Sequence, residues 1–403
     1  MSKIALNLRI KGDFIDSFIY SGVLYLLDTN FHFTSYSWND ICNFILKRNG
    51  FKKIDANAVL NYAKDNRKFN NSIDNIDTDI NEIELSTLKK DSINIEYWPS
   101  DINLFSNKLY YSGDDGVYYI QTDHLTAQFD KSNKINKIFG VKSFSISPNS
   151  HMRVALAAGN EGVFTSCSYF TPKNPREQQI SRSSCIDIDW MNDLLFINSQ
   201  EFVIKKFQNV ISQNDINSDK QHEALKINLF NNFDENNKDQ DNISKSIYRK
   251  YITQILNEKP TSLNLENTYK YGWSSGDCDF LIKGDNHLLI HNKISGNKKE
   301  LNFDIDALTL LKVRTSGCGT IMEINDGSLY FLTENGSHKI SNDFVSWRVY
   351  PRAKNHANHL HIINDDNINI QVYNNDTETS GLNTFYSKSK NDQYKYRLED
   401  LLR

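Results

Sequence analysis

The stretch of sequence that decides the fold is Cys318-Gly-Thr-Ile-Met-Glu-Ile-Asn-Asp-Gly-Ser-Leu-Tyr-Phe-Leu332. Its side chains alternate with a period of two on both sides of Asp326-Gly327, for example at Leu329 and Phe331. Such alternation is typical of a β-strand, and Asp-Gly readily adopts the positive φ of a tight turn. The stretch therefore predicts a β-hairpin.

The same pattern, two alternating arms around a turn rich in Gly, Asp and Asn, recurs along the 403-residue chain. The residues directly after the turns are Val23, Val117, Val163, Phe202, Leu288, Leu329 and Ile368. Most of them lie roughly 40 to 46 residues apart, the length of one four-stranded propeller blade, and two gaps are about twice as long. The repeat predicts an all-β fold, a β-propeller of seven blades. Six or eight blades stay open, because each long gap has room for a degenerate blade.

The composition fits one large all-β domain. The 20 Tyr and 23 Phe residues suit half-buried strands. The formal net charge of -4 gives no overall attraction toward nucleic acid or an anionic membrane. The first residues lack the apolar core of a secretory signal, and no later run approaches the length of a membrane span. We therefore expect a single propeller over residues 1–403, in the cytoplasm and without membrane contact.

Each long gap is interpreted as an insertion. The first covers residues 40–92, with two short helices and then a polar, acidic stretch over 70–91 that is expected to be a loop. The second covers residues 208–262. It contains a very polar run followed by an apolar stripe over 243–256 that predicts an amphipathic helix, in which Tyr251 and Ile255 are candidate partner contacts.

The two ends of the chain suggest how the ring closes. Residues 4–10 alternate as a strand, and propellers commonly pair strands from both termini in one blade, so this strand is expected beside the last blade. Residues 391–403 predict a short C-terminal helix with an apolar face.

One blade carries a family resemblance. Residues 317–336 place a small residue and Thr before the strand, then Asp-Gly, an aromatic residue and a later Asn-Gly, and this order resembles a repeat of the RCC1-like propellers. The resemblance covers about twenty residues, and the Gly-Gln-Leu-Gly turn of those repeats is absent. It supports a propeller in general and implies a binding surface, which in RCC1-like proteins sometimes serves chromatin or a small GTPase.

The sequence predicts no cofactor and no metal site. The five cysteines are widely spaced and lack a Cys-x-x-Cys pair, so they are interpreted as buried thiols in strands. His356, His359 and His361 form the densest histidine group, and the last two share one face of a strand. No further ligand stands at a matching position, so hydrogen-bonded or exposed histidines are the favoured interpretation.

An enzyme with its site at the central channel is the main alternative to a binding protein. Ser112-Gly-Asp-Asp-Gly-Val-Tyr-Tyr119 matches the turn of sialidase-like propellers, which would imply a glycosidase or lyase. In that motif, however, Asp and Ser tie down a hairpin, and no nucleophile with a partner base is identifiable from spacing. No catalytic residue is therefore assigned.

A basic and aromatic patch close to the last blade is the strongest candidate contact surface. It consists of Trp347, Arg348, Tyr350, Arg352, Lys354 and His356. Trp and Arg are enriched where interfaces concentrate their binding energy, and the same mixture can hold phosphates and stack bases. We predict a non-catalytic scaffold for protein partners within a larger complex, with a nucleic-acid-binding propeller as the second alternative.

Overall fold

The computed structural model describes residues 4–48, 53–68, 75–130, 135–149, 153–167, 177–207, 259–263, 265, 268–275, 277–333, 336–353 and 355–374. These residues form seven four-stranded antiparallel blades, and the innermost strand of each blade contacts the innermost strand of the next. The predicted seven-bladed β-propeller is confirmed. The described residues of the two long gaps form no further blade.

Blades 1 and 2 follow the first strand, which itself belongs to the last blade. That strand is β1 (Ile4–Lys11). Blade 1 consists of β2 (Phe14–Tyr20), β3 (Val23–Asp28), β4 (His32–Ser37) and, after an additional strand β5 (Ile76–Ile80), β6 (Lys89–Asn94). Blade 2 consists of β7 (Ile102–Phe105), β8 (Lys108–Gly113), β9 (Gly116–Asp123) and a split outer strand, β10 (Gln128–Phe129) and β11 (Asn136–Phe139).

Blades 3 to 5 have four strands each. Blade 3 consists of β12 (Ser145–Pro148), β13 (Arg153–Ala157), β14 (Val163–Cys167) and β15 (Gln178–Ser181). Blade 4 consists of β16 (Cys185–Met191), β17 (Leu194–Ser199), β18 (Val203–Lys206) and β19 (Thr261–Ser262). Blade 5 consists of β20 (Tyr269–Ser274), β21 (Cys278–Lys283), β22 (His287–Asn292) and β23 (Lys298–Asn302).

Blades 6 and 7 complete the ring. Blade 6 follows a 3-10 turn (Ala307–Thr309) and consists of β24 (Leu310–Ser316), β25 (Gly319–Ile324), β26 (Leu329–Thr333) and β27 (Gly336–Ser341). Blade 7 consists of β28 (Ser346–Val349), β29 (His359–Ile363), β30 (Asn367–Tyr373) and β1, with β5 added beyond β1.

The predicted hairpins occur where the turn chemistry places them. Asp326-Gly327 joins the antiparallel strands β25 and β26, and Gly327 has the expected left-handed φ of 77°. The turn over 113–116 joins β8 and β9 in the same way. Each repeated turn lies in a different blade, between the second and third strands except in blade 1, where it follows the first strand.

The ring closes as the sequence predicts. β1 pairs antiparallel with β30, with Ile10 opposite Ile368, so strands from both ends of the described chain share blade 7. Strand β5 then pairs with β1 in a parallel arrangement, with Leu8 opposite Thr78. Closure therefore rests on backbone pairing across more than 350 residues of sequence.

The acidic stretch at 70–91 is not the predicted loop over its described part. It contains β5, helix α3 (Glu82–Ser86) and the beginning of β6, which pairs with β4 and completes blade 1. Asp77 and Asp79 of β5 point outward and both pair with Arg9 at 2.7 Å, whereas Ile76 and Ile80 are buried. The acidic residues conceal a strand because only every second side chain reaches the core.

Two helices of this region pack beside the closing blade. They are α1 (Trp38–Lys47) and α2 (Lys53–Lys64). Helix α1 begins at Ser37, whose hydroxyl accepts a hydrogen bond from the Asp40 backbone amide at 3.2 Å. Its buried Trp38 donates from Nε1 to the Ala63 carbonyl at 3.0 Å. The helices share one apolar core with β1 and β30 and so cover the closure seam.

Several predicted segments lie outside the described residues. These are most of the 208–262 insertion, including the helix with Tyr251 and Ile255, and the C-terminal helix over 391–403. Residues 261–262 are described and form β19, the outer strand of blade 4. Among the residues that the structure describes, no helix is long and apolar enough to span a bilayer.

We expect two glycine turns to differ in their tolerance of alanine. Gly327→Ala should lower the free energy of unfolding by about 1 kcal/mol, because φ is left-handed but no atom lies within 4 Å of the added Cβ. Gly162→Ala should cost about 1–3 kcal/mol more, because its Cβ would lie 2.2 Å from the Ser181 carbonyl oxygen. Urea unfolding of both variants measures the difference, and equal losses would contradict this account of the blade 3 turn.

Candidate functional site

Polar side chains on the innermost strands hold neighbouring blades together. Asp101 of blade 2 accepts a hydrogen bond from the Ile146 backbone amide of blade 3 at 2.7 Å. Ser147 of blade 3 accepts one from the Trp190 amide of blade 4 at 2.9 Å, and Asp189 of blade 4 accepts one from the Ser274 amide of blade 5 at 2.8 Å. Backbone groups that face the axis, where no fifth strand can pair with them, thus find partners in the next blade.

Arg348 on β28 is the tie that crosses the closure seam. Its guanidinium donates to both carboxylate oxygens of Asp16 in blade 1 at 3.0 and 2.5 Å, and to Asp101 in blade 2 at 2.9 Å. Burial opposes its charge, but the two carboxylates outweigh burial and raise the pKa of Arg348. One side chain therefore links blades 7, 1 and 2.

Arg314 forms a second tie on the other side of the axis. From β24 in blade 6 it donates to Asp187 in blade 4 at 2.7 Å, and the Tyr271 hydroxyl of blade 5 donates to the same carboxylate at 2.6 Å. The Asp187 carboxylate offsets the burial of Arg314 and raises the pKa of its guanidinium. Three blades thus meet at one carboxylate.

Inside these ties lies an axial cavity of ≈ 570 Å³. Its wall follows the inner strands of blades 1, 2, 3, 4, 6 and 7 and continues to the turns after them, where Ser21 and Ser106 are exposed at its mouth. Four cationic side chains line it, Lys312, Arg314, Arg348 and Arg352, together with the carboxylates of Asp101 and Asp189.

The structure brings most of the sequence-predicted patch together in the wall of this cavity. The patch residues that line it are Trp347, Arg348, Tyr350, Arg352 and His356. Lys354 lies outside the described residues, as do Tyr251 and Ile255. The patch is therefore interior: Trp347 is 2% exposed, and its Nε1 donates to Glu323 at 2.7 Å. Substitutions at Trp347 or Arg348 would lower the stability of the ring, so they could not report on partner binding alone.

Arg352 crosses the cavity to its far wall. Its guanidinium donates to the carbonyl oxygens of Pro148 in blade 3 and Trp190 in blade 4. Burial lowers its pKa, and the Asp189 carboxylate counters part of that effect. Sequence reasoning missed Lys312, Arg314, Asp101 and Asp189, because their inward direction is defined only once each blade is placed in the ring.

The three histidines also meet, as a buried neutral cluster. The Nδ1 atom of His361 lies 2.7 Å from the Ser17 hydroxyl and 3.0 Å from the Tyr350 hydroxyl. His359 Nε2 lies 3.0 Å from the Ala63 carbonyl of α2. Burial lowers the pKa of His361 to about 3 and that of His356 to about 4, and it holds the pKa of His359 well below its ordinary value. The described residues include no group of three or more side chains placed to hold a metal.

The sialidase-like turn serves the scaffold in the described structure. The Ser112 hydroxyl accepts from the Ser143 backbone amide at 2.7 Å and so joins blade 2 to blade 3. Asp115 accepts from the Tyr118 hydroxyl at 2.6 Å and pairs with Lys137 at 3.1 Å. The interpretation of this motif as a structural turn agrees with these contacts.

A separate set of apolar side chains is exposed on the opposite face of the ring. Large apolar residues stand before or at the beginning of inner strands in five blades: Trp98, Val141, Phe144, Ile186, Leu308 and Val345. In an antiparallel blade this end is shared with the turn between the second and third strands, and the cavity mouth lies at the other end. We name the members from the consecutive blades 2 to 4, Trp98, Val141, Phe144 and Ile186, the apolar face.

Hydrogen bonds fix the loops that carry the apolar face to one another. The loops that carry Trp98 and Phe144 are joined by Ser100, whose hydroxyl donates to the Ser143 carbonyl at 2.6 Å. The Phe144 ring lies over Gly159, where a Cβ atom would come within 2.8 Å of it. Gly159 in turn forms two backbone hydrogen bonds with Cys185, next to Ile186. Sequence reasoning missed this surface, although its members recur with the period of the repeat.

The Arg348–Asp16 tie predicts a large and asymmetric effect of substitution. Arg348→Met should lower the free energy of unfolding by about 3–5 kcal/mol, because it leaves Asp16 buried without its partner. Adding Asp16→Asn should recover part of that loss. Arg9→Met, which removes an exposed pair, is the control and should cost less than about 1 kcal/mol. If urea unfolding showed the same loss of free energy for Arg348→Met as for Arg9→Met, the stabilising role of the Arg348–Asp16 pair would be contradicted.

The buried histidines predict a loss of stability in acid. Their pKa values are lowered in the folded protein, so the unfolded chain binds protons first as the pH falls below its ordinary value of about 6.5. Stability is full above that value and should fall by about 1.4 kcal/mol per pH unit for each histidine, down to its folded pKa.

His361→Gln should flatten the slope by one such increment between about pH 6 and pH 4.5, measured by urea unfolding at several pH values. His32→Gln is the control for removing a histidine side chain that the fold leaves exposed. An unchanged slope in His361→Gln would show that His361 binds its proton in the folded state.

Comparison with known proteins identifies no family. No family model matches the chain, and no curated protein matches it. A chain of the structure titled "Crystal Structure of Mitotic Checkpoint Complex" is similar with 10% identity and a TM-score of 0.42, over 93% of this chain and 91% of that one. The RCC1-like resemblance of residues 317–336 stays a resemblance of one repeat.

Proposed function

We propose that the protein is a non-catalytic scaffold that holds a partner protein on its apolar face. The segment that it binds carries apolar side chains flanked by Lys or Arg. The observation that supports this proposal is the exposure of Trp98, Phe144 and Ile186 by 54%, 46% and 47% in three consecutive blades. Contiguous exposed apolar surface on a folded protein marks interaction sites.

The packing beneath the apolar face keeps it rigid, which lowers the cost of binding. Tyr97, next to Trp98, stacks on Tyr118, and Tyr118 stacks on the buried Tyr111. The loops are fixed to one another by Ser100 and Gly159 as described above. The surface is therefore preformed, and binding a partner costs little conformational entropy. Burial of the Trp and Phe side chains supplies the favourable free energy of binding.

Charge at the apolar face selects the flanking residues of the partner. Glu96, Glu161 and Glu201 are exposed around it in blades 2, 3 and 4, and none forms an ion pair within the described part of the chain. Lys137 and Lys142 are already paired with Asp115 and Asp114. The free carboxylates attract Lys or Arg and repel a phosphate backbone, which disfavours nucleic acid at this face.

A cytoplasmic location remains part of the proposal. Four buried cysteines carry free thiols in the described structure: Cys42, Cys185, Cys278 and Cys318. Free thiols are typical of a reducing compartment. Burial raises the pKa of each of the four to about 12, which leaves them unreactive at neutral pH.

Selection from a random peptide library on the purified full chain tests the proposed partner chemistry. Enriched peptides should combine apolar residues with flanking Lys or Arg. Synthetic copies of the enriched peptides should bind the protein variants Phe144→Ser and Ile186→Ser about tenfold or more weakly than the parent protein. The reason is that central aromatic and aliphatic side chains carry most of the binding energy of an interface.

Leu125→Ser is the matched control, because Leu125 is 84% exposed on the loop after β9, at the cavity end of the blade. It should bind the peptides as tightly as the parent protein. Enrichment of acidic or purely polar peptides would contradict the proposal. A loss of peptide affinity in Leu125→Ser equal to that in Phe144→Ser would contradict it as well. Self-association that Phe144→Ser abolishes would instead assign the apolar face to a second copy of the chain.

A further inference from the structure

Lys312 has an unusual place among the cations of the axial cavity. It lies on β24, is partly accessible and lines the cavity, and its Nζ stands 5.0 Å from the centre of the Trp347 ring. Within the described residues its ammonium group makes no hydrogen bond and no ion pair. Asp101 and Glu323 favour its charge only from longer range, and burial and the nearby Arg348 outweigh them and lower the pKa of Lys312.

The other cations of the cavity are already occupied. Arg348 is paired with Asp16 and Asp101, and Arg314 is paired with Asp187. Arg352 donates to two carbonyl oxygens and has no carboxylate partner in the described structure. A cation held away from bulk water is costly unless an anion accompanies it. The cavity thus contains ammonium charge that an incoming anion would neutralise.

We propose that the axial cavity binds a small monocarboxylate with an apolar body, which places its carboxylate at Lys312. The apolar body would lie against the aromatic and aliphatic part of the wall: Phe18, Leu104, Phe105, Ile146, Met191 and Val349. A volume of ≈ 570 Å³ is within the range of small-molecule sites, and a few polar groups in a mainly apolar wall are their usual composition.

The carboxylates in the wall decide the charge of the ligand. Asp101 and Asp189 line the same cavity. Among the cations of the described wall, Lys312 alone has neither an ion pair nor a hydrogen bond, so one ligand charge finds a free partner. The second charge of a dianion such as a phosphate monoester would face these carboxylates. The site therefore favours one negative charge over two. The mouth of the cavity lies at the end of the blades opposite the apolar face, and the site does not depend on the proposed protein partner.

Calorimetric titration of the purified full chain with phenylacetate, phenylacetamide and phenyl phosphate tests the proposal. Phenylacetate should bind saturably, with the neutral amide and the dianion at least about tenfold weaker. Absence of phenylacetate binding up to about 10 mM would overturn the proposal. Equal binding of the amide, or tighter binding of phenyl phosphate, would overturn it as well.

Two variants locate the charge. Lys312→Met should weaken phenylacetate by about tenfold or more and leave phenylacetamide unchanged. It should also raise the melting temperature, since it removes a poorly solvated cation from a site that Met can fill. Lys339→Met, an exposed lysine of the same blade, is the control and should keep parent affinity. Unchanged affinity in Lys312→Met would refute the assignment of the carboxylate to Lys312 even if phenylacetate binds.

Peptide binding at the apolar face separates this test from the proposed function. Lys312→Met should bind the selected peptides like the parent, and Phe144→Ser should bind phenylacetate like the parent. A negative result for one of the two binding sites therefore does not contradict the proposal for the other.

Discussion

The structure depends on the polar contacts between innermost strands, because these strands have neighbours on one side only. Each inner strand pairs with the second strand of its own blade and turns its other edge toward the axis. Groups on that edge are removed from water and need partners. Asp101, Ser147 and Asp189 supply them by accepting backbone amides of the next blade. Apolar packing between blades alone would leave these amides unsatisfied.

The same requirement accounts for the arginines at the axis. The closure seam lies between the first and last described strands, where no covalent connection holds the blades in register. Arg348 bridges it with a buried, bidentate contact to Asp16, and helices α1 and α2 cover it with the His359 and Trp38 side chains between them. The seam therefore combines β pairing, a charge tie and a small apolar layer. Acid should weaken the seam, because the fold keeps its buried histidines neutral and the unfolded chain binds protons more readily.

Using charged side chains as ties leaves the middle of the ring unfilled. Planar guanidinium groups reach across the axis to Asp187 and to the Trp190 carbonyl, but they cannot close-pack as apolar side chains do. The result is a cavity that opens at one end of the ring and contains Lys312, which has no ion pair within the described residues. The exposed apolar side chains lie at the other end of the ring. The two ends differ in chemistry, so one molecule of this fold has two separate candidate binding regions.

The sequence by itself determined the blade and the ring. Local turn chemistry, as at Asp326-Gly327, and alternation with a period of two are properties of neighbouring residues, so they predicted the hairpins, the seven blades and the closing strand. Alternation also failed where charge concealed it, at Asp77 and Asp79 of β5. The contents of the axis were decided only by tertiary structure. Whether Arg348 faces a partner or Asp16, 332 residues away, depends on how the ring brings distant blades together. For the same reason the sequence found Trp347, Arg348 and Arg352 but not that they line a cavity, and it missed Lys312 and the apolar face.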